Sequence, residues 1–168
     1  MRNFLVVAVV ASAAAAFAND HHGSLGLTVA TGGDVVTAVG ATGASDRGVR
    51  IPIEIGATLG LFNRTELRLA GRFAPGVPPL TGFGGAIFGG IRNSLGFDQW
   101  KTFFDLDLAV HVAPLISVGV RAAFGAQYDF LPVMGVYATL GAQLGGATSL
   151  RLSFELIIGI QFRTYLFD

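Results

Sequence analysis

Val49-Arg50-Ile51-Pro52-Ile53-Glu54-Ile55-Gly56-Ala57-Thr58-Leu59-Gly60-Leu61 alternates without a break. Val49, Ile51, Ile53, Ile55, Ala57, Leu59 and Leu61 fall on one side, and Arg50, Pro52, Glu54, Gly56, Thr58 and Gly60 on the other. A period of two marks an extended strand, whose successive side chains point to opposite faces. One face is as apolar as lipid; the other carries charge. A soluble sandwich hides such an apolar face and shows its charge to water. A membrane barrel points the apolar face outward and the polar one into its lumen.

The pattern recurs along the chain. Leu25, Leu27 and Val29 alternate with Gly26, Thr28 and Ala30, and Leu67, Leu69 and Phe73 oppose Glu66, Arg68 and Arg72. Phe83, Ile87 and Ile91 share one face of a Gly-rich strand, with Phe88 and Arg92 on the other. Phe104 to Val112 alternates around Asp105, Asp107, Ala109 and His111; Ile116 to Phe124 alternates around Ser117, Gly119, Arg121 and Ala123. Met134 to Leu144 and Leu150 to Phe162 complete the series, the last against Arg151, Ser153, Glu155, Gly159, Gln161 and Arg163. Ala74–Leu80, Asn93–Trp100 and Tyr128–Pro132 read as loops, Asn63-Arg64 as a tight turn, and Gly145–Ser149 as a turn. The Gly/Asp/Thr-rich stretch Thr31–Gly48 separates the first two strands, with Asp34 to Val39 extending a hairpin inside it.

That makes eight strands, most of about 10–13 residues, where a tilted membrane strand needs about 9–11 and a soluble strand is mostly about 5–6. Composition agrees. The 168 residues are 52% hydrophobic and 13% charged, against roughly 25% charged in an average soluble domain. Beyond the first 18 residues no apolar run is long enough for a spanning helix. High hydrophobicity without such a helix is what a lipid-facing barrel shows.

Residues 1–18 read as a cleavable secretory signal: Arg2 gives the positive n-region, Phe4 to Val10 begin the apolar core, and Ala16-Phe17-Ala18 is a small-x-small cleavage site. Residues 19–168 then form one barrel domain. Cleavage removes Arg2 and leaves ten basic against eleven acidic residues, a balance that excludes the basic surface of a nucleic-acid binder. The absence of cysteine excludes disulfides and thiolate metal sites.

On signal peptide, strand count, dyad repeat and an aromatic-rich final strand, the mature chain resembles the small eight-stranded outer-membrane barrels of the OmpA/OmpX type. The resemblance implies an all-β, antiparallel up-and-down transmembrane barrel in a Gram-negative outer membrane, both termini periplasmic. Its partners would be outer-membrane lipid and the barrel-assembly machinery, and the protein would be a monomer. Two features depart from the pattern. Phe167 is penultimate and Asp168 last, with Tyr165 and Phe167 on the phase of Arg163 rather than Phe162. The short connections near Asn63, Pro114 and Gly146 do not share one parity, which places a boundary error in Thr31–Gly48.

The inner face collects Arg50, Glu54, Glu66, Arg68, Arg72, Asp105, Asp107, His111, Arg121, Arg151, Glu155 and Arg163. An eight-stranded barrel is just wide enough for side chains to fill, so both signs together predict a salt-bridged interior rather than a catalytic site. Inward glycines such as Gly56, Gly60, Gly119, Gly125, Gly135 and Gly141 make room for arginines and Tyr137. A narrow channel for water, ions or small solutes is the alternative. A lipid-modifying enzyme would need His111 as base, Ser117 or Ser153 as nucleophile, and Glu155 or Asp107 to orient the imidazole. A secreted soluble barrel would instead turn Arg50, Glu54, Arg68 and Arg121 to solvent.

Aromatics at strand ends, Phe62, Phe73, Phe83, Phe97, Trp100, Phe103, Tyr128, Phe130, Tyr165 and Phe167, read as interface girdles. Asn19-Asp20-His21-His22 would become the mature N-terminus, whose amine, two amides and His21 imidazole form a square-planar nitrogen set for Cu(II) or Ni(II). A solvated tail is the simpler reading of that segment. With no phosphate loop, zinc signature or calcium loop, no cofactor is expected.

Overall fold

The computed structural model describes residues 23–39, 48–62, 64–78, 80, 82–96, 99–113, 116–146 and 150–165. The signal sequence, the Asn19–His22 segment, Phe97 and Phe167 lie outside them.

The strands are β1 (Ser24–Val39), β2 (Gly48–Arg50), β3 (Ile53–Phe62), β4 (Thr65–Pro75), β5 (Phe83–Leu95), β6 (Trp100–Ala113), β7 (Ser117–Leu131), β8 (Met134–Gly146) and β9 (Leu150–Tyr165). β1 pairs antiparallel with both β2 and β3, every strand from β3 to β8 pairs antiparallel with the next in chain order, and β1 pairs with β9 from Ser24↔Tyr165 to Val39↔Leu150, closing the sheet. β2 and β3 are one stave, since Asp34↔Arg50 and Thr31↔Ile53 continue a single register along β1. The ladder is interrupted between them at Pro52, which has no N–H to give. The N–H of Ile51 instead donates to the Pro75 carbonyl on β4, 3.0 Å away. The result is a closed, eight-stranded, up-and-down barrel.

Alternation decides which way each residue points. Ile55, Leu69, Leu108 and Leu140 are 64%, 61%, 64% and 66% exposed, whereas Glu54, Asp107 and Arg121 are 2%, 1% and 1% exposed. Among the described residues no strand carries a charged side chain on its outer face. This overturns the soluble alternative: Arg50, Glu54, Arg68 and Arg121 are all buried inside. Among the described residues no helix is long and apolar enough to cross a membrane; the strands present the apolar wall.

Three expectations change. Thr31–Val39 belongs to β1 rather than to a loop or hairpin, and pairs with β9 throughout; Gly32 and Gly33 had erased the alternation there. Tyr128–Leu131 likewise continues β7. The parity conflict disappears without altering the strand count. Connections of two, four and two residues (63–64, 96–99, 132–133) share the end that holds Ser24 and Tyr165, while the opposite end carries connections of eight, seven, three and three residues (40–47, 76–82, 114–116, 147–149). Both ends have short turns, so shortness did not report parity.

Candidate functional site: the charged interior

Strand phase brings side chains from five staves to one level of the lumen, where six of them close a ring. Glu54 of β3 accepts from Arg68 of β4, and its Oε2 lies 2.6 Å from Arg72 Nη2. Arg72 Nη1 crosses to Glu155 Oε2 of β9 at 2.5 Å. Glu155 Oε1 accepts from Arg121 of β7 at 2.6 Å, and Arg121 Nη1 donates to Asp107 Oδ2 of β6 at 2.7 Å. Arg68 Nη1 donates to that same Asp107 oxygen at 2.6 Å, completing the circuit. Each arginine bridges two acids and each acid two arginines. Burying an isolated ion costs several kcal/mol, a cost that only close pairing and saturated hydrogen bonds repay. The ring meets the first condition and most of the second: every ion is closely paired and Gln143 Nε2 adds a donor to Glu155 at 2.6 Å, while Asp107 Oδ1 accepts no hydrogen bond.

Further layers flank the ring. Arg92 donates twice to Asp105, at 2.7 and 2.9 Å, and its guanidinium sits 3.8 Å above the Phe103 ring centroid. Phe103 meets Tyr137 edge-on with centroids 6.1 Å apart. Arg72 lies 4.6 Å from the Phe88 centroid, so the arginine carbons and π-faces pack together. Toward the end that holds Ser24 and Tyr165, Arg163 pairs with Glu66 at 2.7 Å and Lys101 with Asp129 at 2.7 Å. Inward glycines supply the volume: a Cβ on Gly141 would meet Glu155 Oε1 at 2.8 Å, one on Gly159 the Tyr137 ring at 2.6 Å, and one on Gly125 would collide with Phe103.

Of the twelve residues assigned to the inner face, eleven are buried, and Arg151, near the end of its strand, is half-buried. Glu54, Arg68, Arg72, Asp107, Arg121 and Glu155 meet in the ring, with Asp105 beside it; Glu66 and Arg163 pair separately. Arg50, His111 and Arg151 stand toward the other end. Sequence reading missed Arg92, Lys101, Asp129 and Asp34 as interior charges. Arg92 shares the inner face of β5 with Phe88, and Asp34, Lys101 and Asp129 lie where β1, β6 and β7 run beyond their clear alternation. Phe103 is a correction: it shares parity with Asp105 and is 1% exposed inside the barrel, not in a girdle. Trp100 and Tyr128, with centroids 4.8 Å apart, and Phe73 and Phe83, at 5.5 Å, do lie at strand ends.

Ser117 is the cross-strand partner of His111, but the arrangement lacks the acid that would orient the imidazole. Both acids that would orient His111 are occupied by arginines, Asp107 by Arg68 and Arg121, Glu155 by Arg72 and Arg121. Ser153 hydrogen-bonds Asp34 instead. Among the described residues no group of His, Asp and Glu side chains could hold a metal ion.

No protein-family model matches the chain, and no curated protein is similar to it in sequence. Solved structures are similar in fold. Neisserial surface protein A matches with a TM-score of 0.67 at 14% identity, over 83% of this chain and 96% of that one. The N-terminal β-barrel domain of Pseudomonas aeruginosa OprF matches with a TM-score of 0.64 at 12% identity, over 85% and 98%. Ail, the attachment invasion locus protein of Yersinia pestis, matches at 0.56 and 7% identity, over 85% and 99%. These likenesses show the fold, that of the small eight-stranded outer-membrane barrels.

Proposed function

We propose that this chain is an integral outer-membrane barrel with a structural or interaction role and a lumen sealed by its own side chains. The observation that carries this reading is the pairing of an outer wall free of charge with a closed ring of three arginines and three carboxylates inside. An apolar wall on every stave is stable only in lipid, and the ring cross-links the lumen at its own level, which supports a sealed interior over a channel. A catalytic role has no support in the placement of His111.

The test is membrane fractionation with gel mobility before and after heating. A native barrel is expected in the outer-membrane fraction, extractable only with detergent and shifting in mobility on heating. Protein that stays soluble without detergent contradicts the reading.

A further inference from the structure

Among the described residues one seam of the wall is interrupted away from its ends. The register shifts of the β3–β4, β5–β6 and β7–β8 ladders fall near strand ends, at Gly60/Phe62, Gly85/Ala86 and Asp129/Leu131. Between β1 and the β2–β3 stave, pairing stops at Thr31↔Ile53 and resumes at Asp34↔Arg50, in the middle of β1. The same register carried across the break sets Gly32 opposite Pro52 and Gly33 opposite Ile51.

In an antiparallel sheet successive residues aim their N–H groups at opposite neighbours. The Ile51 N–H donates to the Pro75 carbonyl of β4, so position 52 faces β1, and proline has no N–H to offer there. Gly32 therefore lacks the donor that the ladder would bring it. On the other flank, the Arg163 N–H donates to Val133, which turns Leu156 and Ile158 toward β1. Thr31 and Gly33 thus bond toward β9, while Gly32 faces the break.

Side chains of β1 cover neither side of it. Gly33 faces outward, and a Cβ there would meet no heavy atom within 4 Å beyond its chain neighbours. Gly32 faces inward, where a Cβ would collide with the Leu156 carbonyl oxygen, so β1 lies close against β9 at this level. The β1–β9 ladder runs unbroken. Glu54, the inward position after Pro52, is held by Arg68 and Arg72 of β4, and Arg72 reaches past β1 to Glu155 of β9. The ring ties the strands on either side of β1 and takes no side chain from β1 itself.

We propose that β1 parts from β2 and β3 at Gly32 and Pro52, a seam where the wall opens locally while the β1–β9 closure and the ring stay shut. Segments of low local stability open as units at far less cost than global unfolding. A strand pair short of a backbone bond in lipid, where water does not replace it, is such a segment. The lumen stays blocked along its axis; the opening faces the lipid.

The experiment measures amide hydrogen exchange by NMR on the folded protein in phosphatidylcholine nanodiscs, each rate taken relative to its unstructured value. The control lies within β1, where Thr31 and Gly33 flank Gly32 and face the other way. Gly32 is expected to exchange about tenfold faster than both, the loss of about one hydrogen bond, with the weak urea dependence of a local opening. Pro52→Ala supplies the missing N–H and removes most of the difference. Heat-modifiable mobility verifies that the variant is folded, and the comparison within the wild-type protein stands without it. The proposal is overturned by Gly32 as well protected as Thr31 and Gly33, by Gly32 exchange that tracks global unfolding in urea, or by a difference that folded Pro52→Ala leaves unchanged.

Discussion

Arg72 on β4 and Glu155 on β9 meet across the lumen at 2.5 Å, though their strands are not neighbours in the sheet. A wall of hydrogen-bonded strands is held together edge to edge; this pair ties it through the middle. Arg68 with Asp107, from β4 to β6, and Arg121 with Glu155, from β7 to β9, also join strands that are not neighbours.

Removing one member of the ring should therefore cost more than removing a surface ion pair. Glu155→Ala leaves Arg72 and Arg121 without their shared acid, and breaking a buried pair in this way costs about 3–5 kcal/mol. Urea unfolding in lipid vesicles measures it. A loss below about 1 kcal/mol, the range of exposed pairs, would mean that water already screens the ring.

The outer wall makes the opposite demand. Leu140→Lys places a charge on a face that is 66% exposed in the middle of β8, and a lysine at the bilayer midplane costs about 2–4 kcal/mol. The same substitution at Thr164, near the strand end, should cost about 0–1 kcal/mol. Equal costs at both sites would argue that the wall does not face lipid.

Most of this architecture was legible in the sequence, because lipid on one side and packed charge on the other force a strict alternation. Ile55 and Glu54 declare their faces without any tertiary information. Reading failed where small residues carried no contrast, as at Gly32 and Gly33, and where a strand ran past a suggestive turn residue, as at Tyr128–Leu131. Phe103 was misread because an aromatic near a strand end was given weight over its parity with Asp105. The ring's connectivity was beyond reach: alternation says that Arg72 points inward, but not that it crosses to β9.

Packing around the inner aromatics sets a further expectation. A side chain on Gly125 would run into Phe103, and the Ala138 carbonyl stands 2.8 Å from the same point. Gly125→Val should destabilise the barrel by about 1–3 kcal/mol, the usual cost of overfilling a packed interior. Phe103→Leu in the same chain should recover part of the loss in a double-mutant cycle followed by urea unfolding.

Trp100 is the only tryptophan in the chain and is 66% exposed beside Tyr128 at the start of β6. Its fluorescence should be quenched most by lipids brominated close to the headgroup, the depth of an aromatic girdle. Strongest quenching by bromine at the chain ends would place this end of the barrel too deep in the bilayer.

The central claim, a lumen closed by its own charges, is tested most directly by planar-bilayer recording of the folded wild-type protein. No steady conductance above that of bare lipid is expected, because Glu54, Arg68, Asp107, Arg121, Glu155 and Arg72 form an unbroken circuit across the lumen. A stable, reproducible single-channel conductance from the wild-type barrel would contradict it.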